Sequence, residues 1–312
     1  MRTQDLAFTS GDADLRGTLS LPDSDEPCPA VVVAHGASAG TRDYFLYRHL
    51  ARLLDSCGVA TFRYDRRGEG SSTGAPDAPF DRLAADLTDA VAAVRRRAEV
   101  DPRRMALWGI SQGGWLVVMS AVESPAVVGL IVVSGTPVTP AEQMNHAVKE
   151  ILTRRGYGRD VVKNALDLRA GIEAFAMGRL AREDVEPRLD GARAEPWFKD
   201  AWIPDLEELN WELDWDGMDL DISPLIAHLR VPTLLLFGAL DPWIPVAESI
   251  RIWERTANSE MVEIEVIPGV GHEMIEGDPL EIPVKGDPVP AYERAISQWV
   301  RRFLLGAERV EL

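Results

Sequence analysis

The sequence predicts an α/β fold: a mostly parallel, doubly wound sheet carrying an inserted helical cap. Three observations lead there. Short apolar runs at 30–34, 59–64, 105–108, 128–133, 233–237 and 261–267 alternate with segments of helical period, as strands joined by crossover helices do. That alternation stops between Gly135 and about Ser223, where the chain turns helical, acidic and tryptophan-bearing. Finally, 312 residues with 46% hydrophobic content can bury one large core with a cap added to it. The expected organisation is a core of 1–135 and 223–312 with a cap of 136–222.

Taken in order, the residues before Pro22 suggest an antiparallel strand pair, 6–9 and 15–21, turned at Gly11-Asp12. The run 30–34 ends in His35-Gly36-Ala37-Ser38-Ala39-Gly40, a buried strand leading into a Gly-containing turn. Leu46, Leu50, Leu53 and Leu54 share one face of a first helix, and Leu83, Leu87, Val91 and Val94 one face of a second. In the insert, helices are expected over 140–154, 159–178 and a short stretch 181–184, followed by an irregular segment bearing Trp197, Trp202, Trp211 and Trp215. Such an insert belongs over the carboxyl ends of the strands, where ligands of α/β sheets bind. Tyr292, Ile296, Trp299 and Phe303 form the apolar face of the last helix, and Gly306 stops it.

The chemistry centres on Gly109-Ile110-Ser111-Gln112-Gly113, between the strand run 105–108 and a helical run from Gly114. That context suits a nucleophile elbow, in which a serine on a sharp strand-to-helix turn projects its hydroxyl into a cleft. Glycines two positions either side let strand and helix approach closely. A hydroxyl needs a base and an orienting acid to become nucleophilic. The elbow implies the chain order serine, acid, histidine, which makes His35 and His49 poor bases. His272 follows the alternating run 261–267 on a strand-end loop, and Asp241 occupies the matching loop after 233–237. Alone, each has an ordinary explanation: a turn residue before proline, a hydrogen-bonded loop histidine, a chance glycine-rich turn. Their order and their common strand-end placement favour Ser111 as nucleophile, His272 as general base and acid, and Asp241 as the group orienting the imidazole. The backbone N–H groups of Gln112 and Ala37 are the expected oxyanion donors, with Gly36 letting the loop backbone approach substrate. His35 is expected to brace that loop by a hydrogen bond rather than to do chemistry.

These residues resemble the α/β-hydrolase superfamily, specifically its bacterial carboxylesterase and serine-peptidase-like branch. The resemblance rests on the short His35-Gly36 loop, Arg42-Asp43 after it, the turn Arg63-Tyr64-Asp65-Arg66-Arg67-Gly68-Glu69-Gly70-Ser71-Ser72, the elbow, and the Asp241 and His272 segments. It spans most of the chain outside the insert. Serine at 111, in place of aspartate or cysteine, separates the chain from the dehalogenase, epoxide-hydrolase and dienelactone-hydrolase branches. The resemblance implies an α/β-hydrolase fold and an acyl-enzyme mechanism, while the same scaffold hosts esterases, lipases, lactonases, thioesterases, peptidases and acyltransferases.

The leading reading is a serine hydrolase acting on a small or medium acyl substrate, a carboxylic ester before a thioester, lactone or amide. The alternatives are acyl transfer or cyclisation by the same triad, a thioesterase, a peptidase, and a binding module that keeps the scaffold without the chemistry. A net charge of −17 disfavours nucleic acid and anionic membrane as partners. The N-terminus lacks a signal-peptide core and no run reaches spanning length, so a cytoplasmic location is expected. Cys28 and Cys57 suit neither a disulfide framework nor a zinc site, and no cofactor or metal is expected. A homodimer is compatible with the chain but not encoded in any pattern. The tryptophans of the insert, with Trp243, either pack the insert's own core or wall the substrate pocket; packing is the favoured reading. The acidic stretch 205–221, free of Lys and Arg, reads as a solvated rim or, more sharply, as an edge that repels anionic substrates.

Overall fold

Nine residues from Arg2–Ser10 (β1) and nine from Ala13–Leu21 (β2) open the computed structural model, which describes residues 1–203, 217–281 and 286–306, as an antiparallel hairpin turned at Gly11-Asp12. Then follow Cys28–Ala34 (β3), Phe45–Ser56 (α1), Ala60–Tyr64 (β4), Phe80–Arg95 (α2), Val100–Ile110 (β5), Gln112–Glu123 (α3) and Val127–Val133 (β6). The insert carries Pro140–Arg154 (α4), Arg159–Ala176 (α5) and Arg182–Arg193 (α6). Ser223–Ile226 (α7), Thr233–Gly238 (β7), Val246–Thr256 (α8), Val262–Ile267 (β8) and Pro290–Phe303 (α9) complete the order. The strands form one eight-stranded sheet, β1-β2-β4-β3-β5-β6-β7-β8, antiparallel only at β1-β2 and β2-β4. This is an α/β fold with a mostly parallel sheet, as the alternating pattern predicts.

Alternation of side chains along the strands sorts the core into two layers. Val31 and Val33 of β3, Ala106, Trp108 and Ile110 of β5, Ile131 and Val133 of β6, and Leu234 and Leu236 of β7 join one cluster with Leu46, Leu50 and Leu54 of α1 and Tyr292, Ile296 and Trp299 of α9. Helices α2 and α3 pack against β3 and β5 from the other side. Covered on both faces, β3 is buried at every residue, which is why its sequence carries no polar alternation. The outer strand β8 is half-exposed and bears Glu263 and Glu265, charges that discourage pairing with a further strand.

A buried ion pair locks the turn after β4 onto α2. Arg67 donates from Nε to Asp86 Oδ2 at 2.7 Å and from Nη2 to Oδ1 at 2.9 Å, with the two side chains 3% and 1% exposed. The same guanidinium reaches Asp12 Oδ1 at 3.0 Å and the Ser10 carbonyl at 3.3 Å, tying in the β1-β2 hairpin. Deleting Asp86 leaves the buried Arg67 charge with the exposed Asp12 as its remaining carboxylate partner among the described residues. Asp86→Ala is therefore expected to cost about 3–5 kcal/mol, read as a lower urea midpoint at unchanged slope; a wild-type midpoint would show the pair to be idle.

The chain divides into two compact units, one of Met1–Pro137, Ile222–Asp241 and Val246–Leu312, the other of Val138–Asp221 and Pro242–Pro245. In the second, α4 begins with a capping box: Glu142 N–H donates to Thr139 Oγ1 at 3.2 Å and Thr139 N–H to Glu142 Oε2 at 3.0 Å. Its core gathers Val148, Leu152, Leu168, Ile172, Val185, Leu189 and Trp197.

Several boundaries differ from the sequence expectation. Helix α6 runs on through Pro187 to Arg193 instead of stopping near 184. The proline removes one helical bond, but Val185, Leu189 and Ala192 repeat at helical spacing and are buried, and that packing holds the helix. Strand β5 starts at Val100, because Val100 pairs with Cys28. Strand β8 starts at Val262, since Ser259–Met261 form a 3-10 turn capped by Asn258. Phe303 is 36% exposed rather than core, with the Arg302 guanidinium 4.4 Å from its ring centre.

Candidate active site

Ser111 is the single residue between β5 and α3, and its backbone is held at φ 53°, ψ −118°. A side chain resists that left-handed region, so such a conformation persists only where the surroundings impose it. Here Ser111 N–H donates to the Val133 carbonyl at 3.0 Å and the Ser111 carbonyl accepts from Gly114 N–H at 2.8 Å. The flanking glycines are needed for close approach. A Cβ on Gly109 would lie 2.3 Å from the Gly113 carbonyl oxygen, and one on Gly113 would lie 2.6 Å from that of Ala34.

The loop after β3 is shaped by side chains from two other elements. Tyr47 of α1 accepts from Gly36 N–H at 2.9 Å and donates to the Ala39 carbonyl at 3.0 Å. Burial pushes the Tyr47 phenol far above its ordinary value, so it stays protonated and keeps donating. Ala39 N–H donates to the Gly36 carbonyl at 3.2 Å. Since a trans peptide points its N–H opposite its C=O, that bond fixes the direction of the Ala37 N–H, which has no acceptor among the described residues. Gln112, first residue of α3, has no intrahelical acceptor for its N–H either. The two expected oxyanion donors are thus both free, whereas Gly36 spends its N–H on Tyr47. His35 donates from Nε2 to the Tyr64 carbonyl at 2.6 Å, and burial pulls its pKa down to about 4. It is a neutral brace.

Asp241 and His272 meet across the ends of β7 and β8. His272 Nδ1 donates to Asp241 Oδ2 at 2.8 Å, with the aspartate side chain fully buried and the imidazole 12% exposed. Their loops are stitched by Leu240 N–H to the Val270 carbonyl at 2.9 Å. Burial works against a charged imidazole, but the Asp241 charge and hydrogen bond outweigh it, so the His272 pKa is raised above 6.5. With Nδ1–H committed to the carboxylate, Nε2 of the neutral ring carries the lone pair.

Residues at the end of β6 connect the two halves. Val133 receives the Ser111 N–H, and Ser134, next in the chain, donates from Oγ to the His272 carbonyl at 2.8 Å and from N–H to the Leu236 carbonyl at 2.8 Å. The Ser111 hydroxyl itself makes no hydrogen bond to His272 among the described residues. No group of three or more His, Cys, Asp or Glu placed for a metal ion occurs among the described residues.

Sequence reading missed three supports. Tyr47 lies on a helix with nothing in its spacing to point at the loop, and Arg66 hides in a charged turn. Ser134 had a signal, a Ser-Gly pair ending an apolar run; in the structure its backbone sits at φ 46°. Of the proposed pocket residues, Gly36 lies beside the elbow, where an added Cβ would come 3.8 Å from Ser111 Cβ. Trp197 is buried at 6% in the second unit's own core, because an indole there covers more apolar surface than any smaller residue would. Trp202 is 49% exposed and packs edge-on against Trp243, ring centres 5.1 Å apart, while the Trp243 carbonyl accepts from Gln143 at 2.8 Å. Trp211, Trp215 and most of the acidic stretch lie outside the described residues.

The profile of the Alpha/beta hydrolase family matches residues 31–282. The chain belongs to that family. Among relatives of this α/β hydrolase, Esterase EstD of Thermotoga maritima is 24% identical over 280 residues, an alignment covering 87% of this chain and 60% of the esterase. The chain thus spans well under the full length of that relative. A monoacylglycerol lipase of Mycolicibacterium smegmatis is 28% identical over 261 residues, covering 81% of this chain and 84% of the lipase. The solved structure of the alpha/beta hydrolase GrgF from Penicillium sp. sh18 superposes with a TM-score of 0.65 at 20% identity, covering 98% of this chain and all of that one. No helix among the described residues of the α/β hydrolase is long and apolar enough to cross a membrane.

Proposed function

We propose that this α/β hydrolase is a serine hydrolase that cleaves a small or medium acyl substrate, a carboxylic ester first, through a covalent acyl-enzyme. The observation that carries the reading is the strained serine at the elbow beside two free backbone donors, together with an aspartate-bound histidine on the neighbouring strand ends. The family, with relatives named esterase and monoacylglycerol lipase, supports a hydrolase.

In this mechanism Ser111 Oγ bonds to the acyl carbon while His272 Nε2 takes its proton. The carbonyl oxygen becomes an oxyanion facing the N–H groups of Ala37 and Gln112, which stabilise it more than they stabilise the ground-state carbonyl. As the C–O bond to the leaving group breaks, His272 returns the proton and an alcohol departs. Water then repeats the sequence, giving up a proton to His272 and releasing the acid and the free serine. Esters need least from the general acid, which places them ahead of amides.

The test is a panel of p-nitrophenyl esters, acyl thioesters and aminoacyl anilides, run beside labelling with a fluorophosphonate. Expected are ester turnover and one phosphonate per chain, mapped to Ser111. Absence of labelling and of turnover would favour a binding module, and products trapped by added alcohol instead of water would move the reading to acyl transfer.

A further inference from the structure

Between Asp65 and Arg67, both spent on structure, Arg66 turns toward Ala37 of the loop after β3. Asp65 accepts from the N–H groups of Arg42 and Ser71, each at 2.9 Å, and Arg67 is held by Asp86. Arg66 Nη1 donates to the Ala37 carbonyl at 3.0 Å and to Gln112 Oε1 at 3.3 Å. Its Nη2 reaches Glu69 Oε1 at 3.4 Å, and its backbone N–H donates to the Gly40 carbonyl at 2.7 Å. The side chain is 13% exposed. One guanidinium nitrogen therefore joins two residues that are far apart in the chain and share one feature: each carries a backbone N–H with no acceptor among the described residues, beside Ser111.

We propose that Arg66 is a positioning residue that sets the separation of the two oxyanion donors, Ala37 N–H and Gln112 N–H; the proposal rests on Ser111 being the nucleophile. The loop donor sits between two fixed peptides. Tyr47 holds the peptide that precedes it, Ala39 N–H holds the carbonyl of its own peptide, and Arg66 holds the carbonyl that follows it. The other donor is rigid along α3 but belongs to a different element, and without Arg66 no side-chain hydrogen bond among the described residues ties Gln112 to the loop. Two donors act together on one oxygen only if both lie at hydrogen-bond distance from the place where its charge develops. A planar fork can hold two acceptors at once in fixed geometry. Because arginine has only donors, the Gln112 amide must present its oxygen to it, which sets that side chain's orientation too. Gly40 leaves room for the arrangement, since a Cβ there would come 2.8 Å from Glu69 Cγ and 3.2 Å from Arg66 Nε.

The test compares wild type, Arg66→Met, Arg66→Lys, Gln112→Leu and the double variant Arg66→Met with Gln112→Leu on p-nitrophenyl butyrate. Arg66→Met is expected to lower kcat about 10- to 100-fold, the scale of a misplaced catalytic group, with KM within about twofold because the loss falls on the transition state. Lysine should recover part of kcat, and added methylguanidinium should recover part of it in Arg66→Met. Gln112→Leu should lose less, and the double variant should lose less than the product of the single losses, since both cut one linkage. An undiminished kcat in Arg66→Met overturns the proposal, as does a loss carried by KM alone or matched by the fall in folded fraction. If Arg66→Met does not fold, wild-type kcat in both Arg66→Lys and Gln112→Leu overturns it. A wild-type protein inert to both ester and fluorophosphonate overturns the nucleophile reading and this proposal with it, whereas an active wild type beside an undiminished Arg66→Met overturns this proposal alone.

Discussion

Replacing Ser111 with alanine is expected to lower kcat for the preferred ester by about 10⁶-fold, the scale of losing a nucleophile that works as a unit with its base. Alanine keeps the Cβ and the strained backbone at 111, so folding and substrate affinity should change little. What remains comes from the two backbone donors acting on a carbonyl attacked by water. The measurement is single-turnover kinetics at saturating ester, beside fluorophosphonate labelling, which should vanish. Turnover within tenfold of wild type would remove Ser111 from the chemistry, and its strained backbone would then have no catalytic purpose.

Asp241→Asn is expected to lower kcat on the order of 10⁴-fold, through the wrong tautomer. The carboxylate now accepts from His272 Nδ1–H at 2.8 Å. An amide can turn its NH₂ group toward that nitrogen, moving the ring proton to Nε2 and leaving Ser111 without a base. The pH profile carries a second signature. His272 must be neutral to accept a proton, and its pKa is raised above 6.5 despite burial, by the charge and hydrogen bond of Asp241. In wild type, kcat/KM should therefore fall as pH drops through a midpoint above 6.5. In the variant the Asp241 charge goes while burial and the smaller contribution of Glu273 stay, so the midpoint should move to lower pH. A midpoint that stays put would mean that Asp241 does not govern the charge of His272.

Much of this architecture is written locally. The run from Ala30 to Ala34 has no polar member because both faces of β3 are covered, and a reader of the sequence sees the cause in the effect. Leu46, Leu50 and Leu54 repeat at helical spacing and reach the core. Ser111, Asp241 and His272 could be picked out because each follows a legible strand, and the side chains of the last two do meet. What escaped was decided by distant partners. Nothing near Tyr47 says that its hydroxyl will clasp a loop eleven residues earlier, and nothing near Arg66 says that it will face Gln112 rather than solvent. The short stretch 181–184 fell short for the opposite reason: burial of Val185 and Leu189 carries α6 on through Pro187, a local helix breaker.

The low pKa of His35, about 4 with the ring bound to the Tyr64 carbonyl, has a bearing on how the acid limb should look. Two imidazoles stand near the elbow, but one has finished losing its proton well before the other begins. Between pH 5 and 8 the brace is silent, so the curve should bend once, with unit slope, and a single ionisation can be assigned to a single side chain.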